Sequence, residues 1–130
     1  MNQAIVLCYN MQGERAEVIS ALAVKQGIRP HFVKAGEYQE TLAALCGLEP
    51  VKGGDFKGDG FLDEMMVMAF FPKGTLNRFL DSFRENGAPS VPLKAMLTEN
   101  NSRWDSLTLH HELMQEYEYF SRMQAQGNGQ

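Results

Sequence analysis

Two short runs, residues 4–9 (AIVLCY) and 65–71 (MMVMAFF), are apolar at every position. A strand with one face in water alternates polar and apolar residues. A continuous run is a strand covered on both faces, so helices must lie on both sides of the sheet. Each run is followed by the same kind of sequence. Residues 14–26 carry Val18, Ile19 and Leu22 at helical spacing, with Gly27 where a left-handed helix cap belongs. Residues 75–86 carry Leu76, Phe79, Leu80 and Phe83, with Gly87 in that place.

Each half then continues as strand and helix. Residues 30–34 (PHFVK) form a second strand at a sheet edge, where the missing N–H of Pro30 does no harm. Residues 37–46 form a helix with Tyr38, Leu42 and Leu45 on one face, ended by Gly47. In the second half, residues 91–98 are a strand and residues 104–123 a helix. That last helix has Leu109, Leu113, Phe120 and Met123 on one stripe.

The chain is therefore expected to be one α/β domain over residues 1–123, made of two βαβα halves. Val18, Ile19 and Leu22 align with Phe79, Leu80 and Phe83, and Gly13 with Gly74, as an internal repeat would. Right-handed crossovers outward from a central pair give a parallel four-stranded sheet of order 2-1-3-4, with the first and third helices on opposite faces. The rival is a ferredoxin-like sheet of order 4-1-3-2 with extra helices. Residues 49–64 hold four glycines without periodicity and form a loop, with a flap over the sheet's end as one reading; residues 124–130 are expected to be a disordered tail.

Charge and cysteine usage narrow the setting. The net charge of −4 opposes binding to nucleic acid or anionic membrane. The longest apolar run has seven residues, against roughly 20 for a membrane helix. The first residues, MNQAIVLCYNMQGER, lack the basic start, long apolar stretch and cleavage site of a secretion signal. Cys8 and Cys46 each sit in an apolar segment and read as reduced core residues of a cytoplasmic protein.

By the fourth strand a resemblance emerges. Leu93-Lys94-Ala95-Met96-Leu97-Thr98, then Asn101 and Trp104, then Glu112-Leu113 and Glu116 resemble the LKAxLTxxNxxW…EL signature of a bacterial family of domains of unknown function, number 3783. The upstream VLCYN and the run MVMAFF…LNRFLDSFRENG are similar to it as well. The family pattern has a hydroxyl residue after the Trp, where this chain has Asp105, an equally good helix N-cap. The resemblance implies a fold and no activity.

Candidate sites follow from topology. Ligands in open α/β sheets sit beyond the carboxyl ends of strands where connections diverge. With the first and third strands adjacent, Asn10 and Gln12 would face Lys73, and Thr98 and Asn101 would form the rim. Such groups suit a small polar ligand, with Lys73 toward an anion. The competing reading is that Thr98 and Asn101 close a strand-to-helix turn. The run from Asp55 to Asp63 imitates a calcium loop but has Lys57 and Met66 at liganding positions, and His110-His111-Glu112 has no partner at i+4. No metal, cofactor or catalytic motif is indicated.

The last helix is richer in large apolar residues than one packed face requires. Tyr117, Tyr119, Phe120 and Met123 are candidates for a surface that binds a protein partner or a second copy. The expected function is a non-enzymatic regulatory or protein-interaction module, with a small-ligand crevice as an addition. The alternative is an enzyme acting on a small polar or anionic metabolite.

Overall fold

The computed structural model describes residues 2–128 of the chain, with side chains through residue 124. The elements are β1 (Ile5–Tyr9), α1 (Gly13–Lys25), β2 (Arg29–Val33), α2 (Leu42–Leu45), β3 (Met65–Ala69), α3 (Thr75–Glu85), β4 (Leu93–Met96) and α4 (Ser106–Asn128). Short 3-10 turns at Ala35–Glu37 and Asn101–Arg103 precede α2 and α4. The last helix runs beyond residue 123 because Gln and Ala continue the sequence to Gly127 without a helix breaker. Of the tail expected to be disordered, only residues 129–130 lie outside the described residues.

All ten residues of β1 and β3 are buried, as their unbroken apolar runs require. The sheet has the expected order β2-β1-β3-β4. It is mixed, however, and not wholly parallel. β1 pairs parallel with β2 and β3 parallel with β4, while β1 and β3 are antiparallel, Tyr9 opposite Met65 and Ile5 opposite Ala69. Between β2 and β3 the chain has no crossover helix as long as the sheet, only the single turn of α2. Thr41 caps it by accepting from the Ala44 N–H at 3.0 Å, and the helix ends four residues later at Leu45, just before Gly47, whose φ is +86°. One turn of helix rises about 6 Å, while a five-residue strand spans about 17 Å. The chain does not return to the far end of the sheet. It enters β3 from the end at which it left β2.

That reversal also moves the helices. Two right-handed βαβ units joined antiparallel are related by a local two-fold, so their crossovers share one face. Helices α1 and α3 pack together on one side, over Val6, Cys8, Met66 and Met68, with Ile19, Leu22, Phe79 and Phe83 between. This corrects the expectation that they lie on opposite faces. The other side, Ile5, Leu7, Tyr9, Met65 and Val67, is covered by Tyr38, Leu42 and Leu45 around α2 and by Leu109 of α4. Helices do cover both faces.

Capping is close to what the sequence implies. Gly27 and Gly87 follow α1 and α3 at φ +77° and +69°. The bonds Ile28 N–H to Ala23 O (2.9 Å) and Ala88 N–H to Phe83 O (2.8 Å) close the two helix ends alike. Asp105 caps α4, accepting from the Thr108 N–H at 2.8 Å. Edge strand β2 carries Pro30 on its outer side, since Arg29 donates inward to Ala4 O.

Phe79 has no exposed surface and packs edge-on against both Phe71 and Phe83. Phe79→Ala is expected to cost about 3–5 kcal/mol of unfolding free energy in urea, whereas Val24→Ala, at an exposed site of α1, should stay within about 0.5 kcal/mol. Equal losses would contradict the packing described.

Candidate functional site

The antiparallel junction sends the residues of the expected crevice to opposite ends of the sheet. Asn10 and Gln12 follow β1, beside the start of β3. Lys73 follows β3 at the far end, and Thr98 and Asn101 follow β4, which runs parallel to β3. Thr98 and Asn101 are spent on their own turn. The Thr98 N–H donates to Asn101 Oδ1 (2.8 Å), the Asn101 N–H to Thr98 Oγ1 (3.0 Å), and Asn101 Nδ2 to Met96 O (3.0 Å). Asn101 is buried and Lys73 is exposed. The five residues form no common site.

At the other end, Asn10 does organise a cluster. Its φ of +63° is a left-handed conformation that Asn tolerates better than most residues. This turns Nδ2 toward two carbonyls of the glycine-rich loop, Phe61 O and Asp63 O, each at 2.9 Å. Its Oδ1 accepts from the Tyr38 hydroxyl at 3.3 Å. Tyr38 stacks on Phe61 (4.8 Å between centroids), and Phe61 stacks on His110 of α4 at 4.0 Å with the rings 7° from parallel. His110 Nε2 lies 2.8 Å from Asp63 Oδ2. Beneath, the buried Tyr9 and Ser106 hydroxyls are 2.7 Å apart. Burial raises the Tyr9 phenol, with the Ser106 bond pulling partly the other way; burial also raises Tyr38 against its bond to Asn10.

Residues 49–64 have no helix or strand, yet they are strapped down. The buried carboxylate of Glu40 accepts from the Lys52 and Gly53 N–H groups at 2.8 and 2.9 Å. The Phe56 N–H donates to Gly36 O, and Arg15 holds both Glu64 oxygens at 3.0 and 2.8 Å. A Cβ on Gly60 would stand 2.8 Å from the Tyr38 ring, so only glycine lets the loop lie this close. Asp55 pairs with Lys57 and Asp63 with His110. Among the described residues no group of three or more His, Cys, Asp or Glu could hold a metal. The run that imitates a calcium loop lies within this strapped segment.

A cleft of about 420 Å³ remains between the carboxyl ends of β1 and β2, lined by Cys8, Asn10, Gln12, Phe32, Lys34 and Tyr38. Asn10 and Tyr38 are already bonded to each other, which leaves Gln12 and Lys34 as its free polar groups. Burial pushes the Cys8 thiol up to about 12. A thiol so far from ionising is no nucleophile at neutral pH.

The candidate interface stands differently. On α4, Leu109 is buried and Leu113 and Met114 are partly covered, but every residue from 115 to 124 is exposed. Tyr117, Tyr119, Phe120 and Met123 are 51, 54, 64 and 49% exposed, so about half of each large side chain has no partner within the domain. The Tyr119 and Phe120 rings meet edge to face at 5.7 Å. Lys94 of β4 and Leu113, Glu116, Tyr117 and Phe120 of α4 line a groove of about 160 Å³. The sequence pointed to these aromatics. It carried no signal for the Tyr38–Phe61–His110 stack, whose members are far apart in the chain, nor for the buried Glu40.

The family described as "Domain of unknown function (DUF3783)" matches residues 64–120, and this stretch of the chain is similar to it. The LKAMLTENNSRW segment lies inside the match, and the upstream VLCYN lies outside it. No curated protein and no solved structure matches the chain. Among the described residues no helix is long and apolar enough to cross a membrane.

Two outcomes follow from this geometry. Asn10→Ala removes two hydrogen bonds to the strap and one with Tyr38 and is expected to cost about 2–3 kcal/mol. In that variant trypsin should cut after Lys57 several-fold faster than in the parent; equal cleavage would mean that Asn10 does not hold the loop. Second, burial raises Cys8 to about 12 and Cys46 to about 11, the latter against the opposing charge of Arg29. The folded state then keeps protons that an unfolded chain releases above its ordinary thiol value of 9.0. This contribution to stability is present below that pH and fades as pH rises toward 11. Urea midpoints should fall over that window, less steeply in Cys8→Ala, and a thiol reagent at neutral pH should label neither cysteine before unfolding.

Proposed function

We propose that this domain is a non-catalytic protein-interaction module, with the outer half of α4 as its docking face. One observation carries the reading: α4 carries ten successive exposed residues, 115–124, roughly 15 Å of helix, beyond its last partly covered residues. Isolated helices of that length are marginal in water. This one presents two tyrosines, a phenylalanine and a methionine, the residue types over-represented where proteins meet. Clustered exposed apolar side chains on an otherwise polar surface mark association sites, whereas single ones do not.

A regulatory or adaptor role suits such a module, since the domain supplies a rigid base and a ready handle. The free, buried thiols of Cys8 and Cys46 favour a reducing cytoplasm. The net charge of −4 argues against nucleic acid as the partner. A small polar ligand is a second reading, favoured by the cleft beside β1 and β2 and by its free Gln12 and Lys34. Catalysis on a small anionic metabolite draws less support, because Asn10 and Lys73 stand at opposite ends of the sheet.

The test is native mass spectrometry of the protein gently purified from its own cells, beside the double variant Tyr119→Ser, Phe120→Ser. The parent should be recovered in an assembly heavier than one chain. The variant should fold normally by circular dichroism and be recovered as the single chain. An assembly unchanged by the double substitution would refute the docking role of α4.

A further inference from the structure

The charges on the docking face point to the chemistry of what covers it. At about 100° per residue, Leu113, Tyr117 and Phe120 form one row along α4, and Glu112, Glu116, Tyr119 and Met123 form the row beside it. Two carboxylates four residues apart on one helix face repel each other. Among the described residues neither Glu112 nor Glu116 makes an ion pair. The cation nearest in sequence, Arg122, lies on the far side of the helix, four residues after Glu118. Lys94 lines the same groove as Glu116, but its Nζ donates to Val91 O at 2.7 Å and no ion pair joins the two.

Covering the aromatic row would take Glu116 out of water. A carboxylate so desolvated needs a cation in the covering surface. A second copy is a poor source. Both faces of such a pair would carry Glu112 and Glu116, between two molecules of net charge −4 each. The groove between α4 and β4, with Leu113, Tyr117 and Phe120 along it, has room for the apolar anchors of an amphipathic helix.

We infer that the docking face takes an amphipathic helix of a partner protein, with Lys or Arg beside its apolar anchors. The inference rests on the docking role of α4 and specifies its occupant. The test uses three fluorescein-labelled synthetic peptides of about 18 residues, long enough for five helical turns. One has a leucine stripe flanked by Lys and Arg. The second has the same stripe flanked by Glu, and the third is a scramble of the first.

Anisotropy titrations use the full chain at roughly 0.15 M salt, where distant charges are screened. The basic amphipathic peptide should bind about tenfold more tightly than the other two. Phe120→Ser should weaken it, and Glu116→Lys should shift the preference toward the Glu-flanked peptide. Equal affinity for the basic and Glu-flanked peptides, or for the basic peptide and its scramble, would overturn the inference. A chain that sediments as a dimer, and becomes a monomer in Phe120→Ser, would overturn it in favour of a second copy while the docking role stands. If Phe120→Ser alters neither peptide binding nor sedimentation, the docking role itself fails.

Discussion

The antiparallel junction of β1 with β3 decides the architecture. β3 begins at the end of the sheet where β2 stops and runs against β1, with one turn of helix and a long irregular segment between them. From that reversal come the two right-handed units related by a local two-fold, and the pairing of α1 with α3 on one face. The opposite face is left to be covered by irregular chain, one turn of helix and the base of α4. It also sets the carboxyl ends of the two βαβ units at opposite ends of the sheet. A switch-point crevice needs adjacent parallel strands whose connections diverge, and the junction of β1 with β3 is not parallel.

The less regular face is completed by side chains doing what a crossover helix would have done. Asn10 accepts a left-handed backbone and in exchange satisfies two loop carbonyls and the Tyr38 hydroxyl. Tyr38, Phe61 and His110 then stack from the sheet outward to α4. Three segments, one after β2, one in the loop and one in the last helix, thereby share one column of rings. Phe70, after β3, has the same φ of +63° with a bulkier side chain less suited to it. The two halves thus turn alike after their first strands, and only Asn10 has a side chain that can use the turn for hydrogen bonding.

Most of the fold was legible because apolar pattern reports burial directly. Unbroken runs gave β1 and β3, helical stripes gave α1 and α3, and glycines gave their ends. The sense of β3 was not legible. Residues 37–46 look helical throughout, as a crossover between parallel strands would. Tyr38 and Glu40 instead serve tertiary contacts, with Asn10 and with the Lys52 and Gly53 backbone. Local propensity gives way there to long-range bonding. The same contacts explain why the glycine-rich loop read as loose: its restraints are backbone carbonyls and N–H groups, which every sequence possesses. By contrast Tyr117, Tyr119, Phe120 and Met123 were legible as surplus, because one helix face has a limited width and their number exceeds it.

The size of that surplus bears on the kind of association it can support. A large aromatic side chain offers roughly 200 Å², so four side chains about half exposed present roughly 400 Å². A stable interface of standard size buries roughly 800 Å² on each partner. The α4 stripe alone is therefore about half of one, within the range of weak, reversible encounters. The remainder has to come from surfaces next to it. The groove wall formed by β4 adjoins the stripe on one side. Leu62 is 91% exposed, and it is presented on the strap between Phe61 and Asp63, both held against His110. A partner that reaches from α4 onto either of these would gain area on a rigid base and lose little entropy in ordering it. The bonds of Asn10, Glu40 and Arg15 to the strap hold the backbone from which Leu62 is presented.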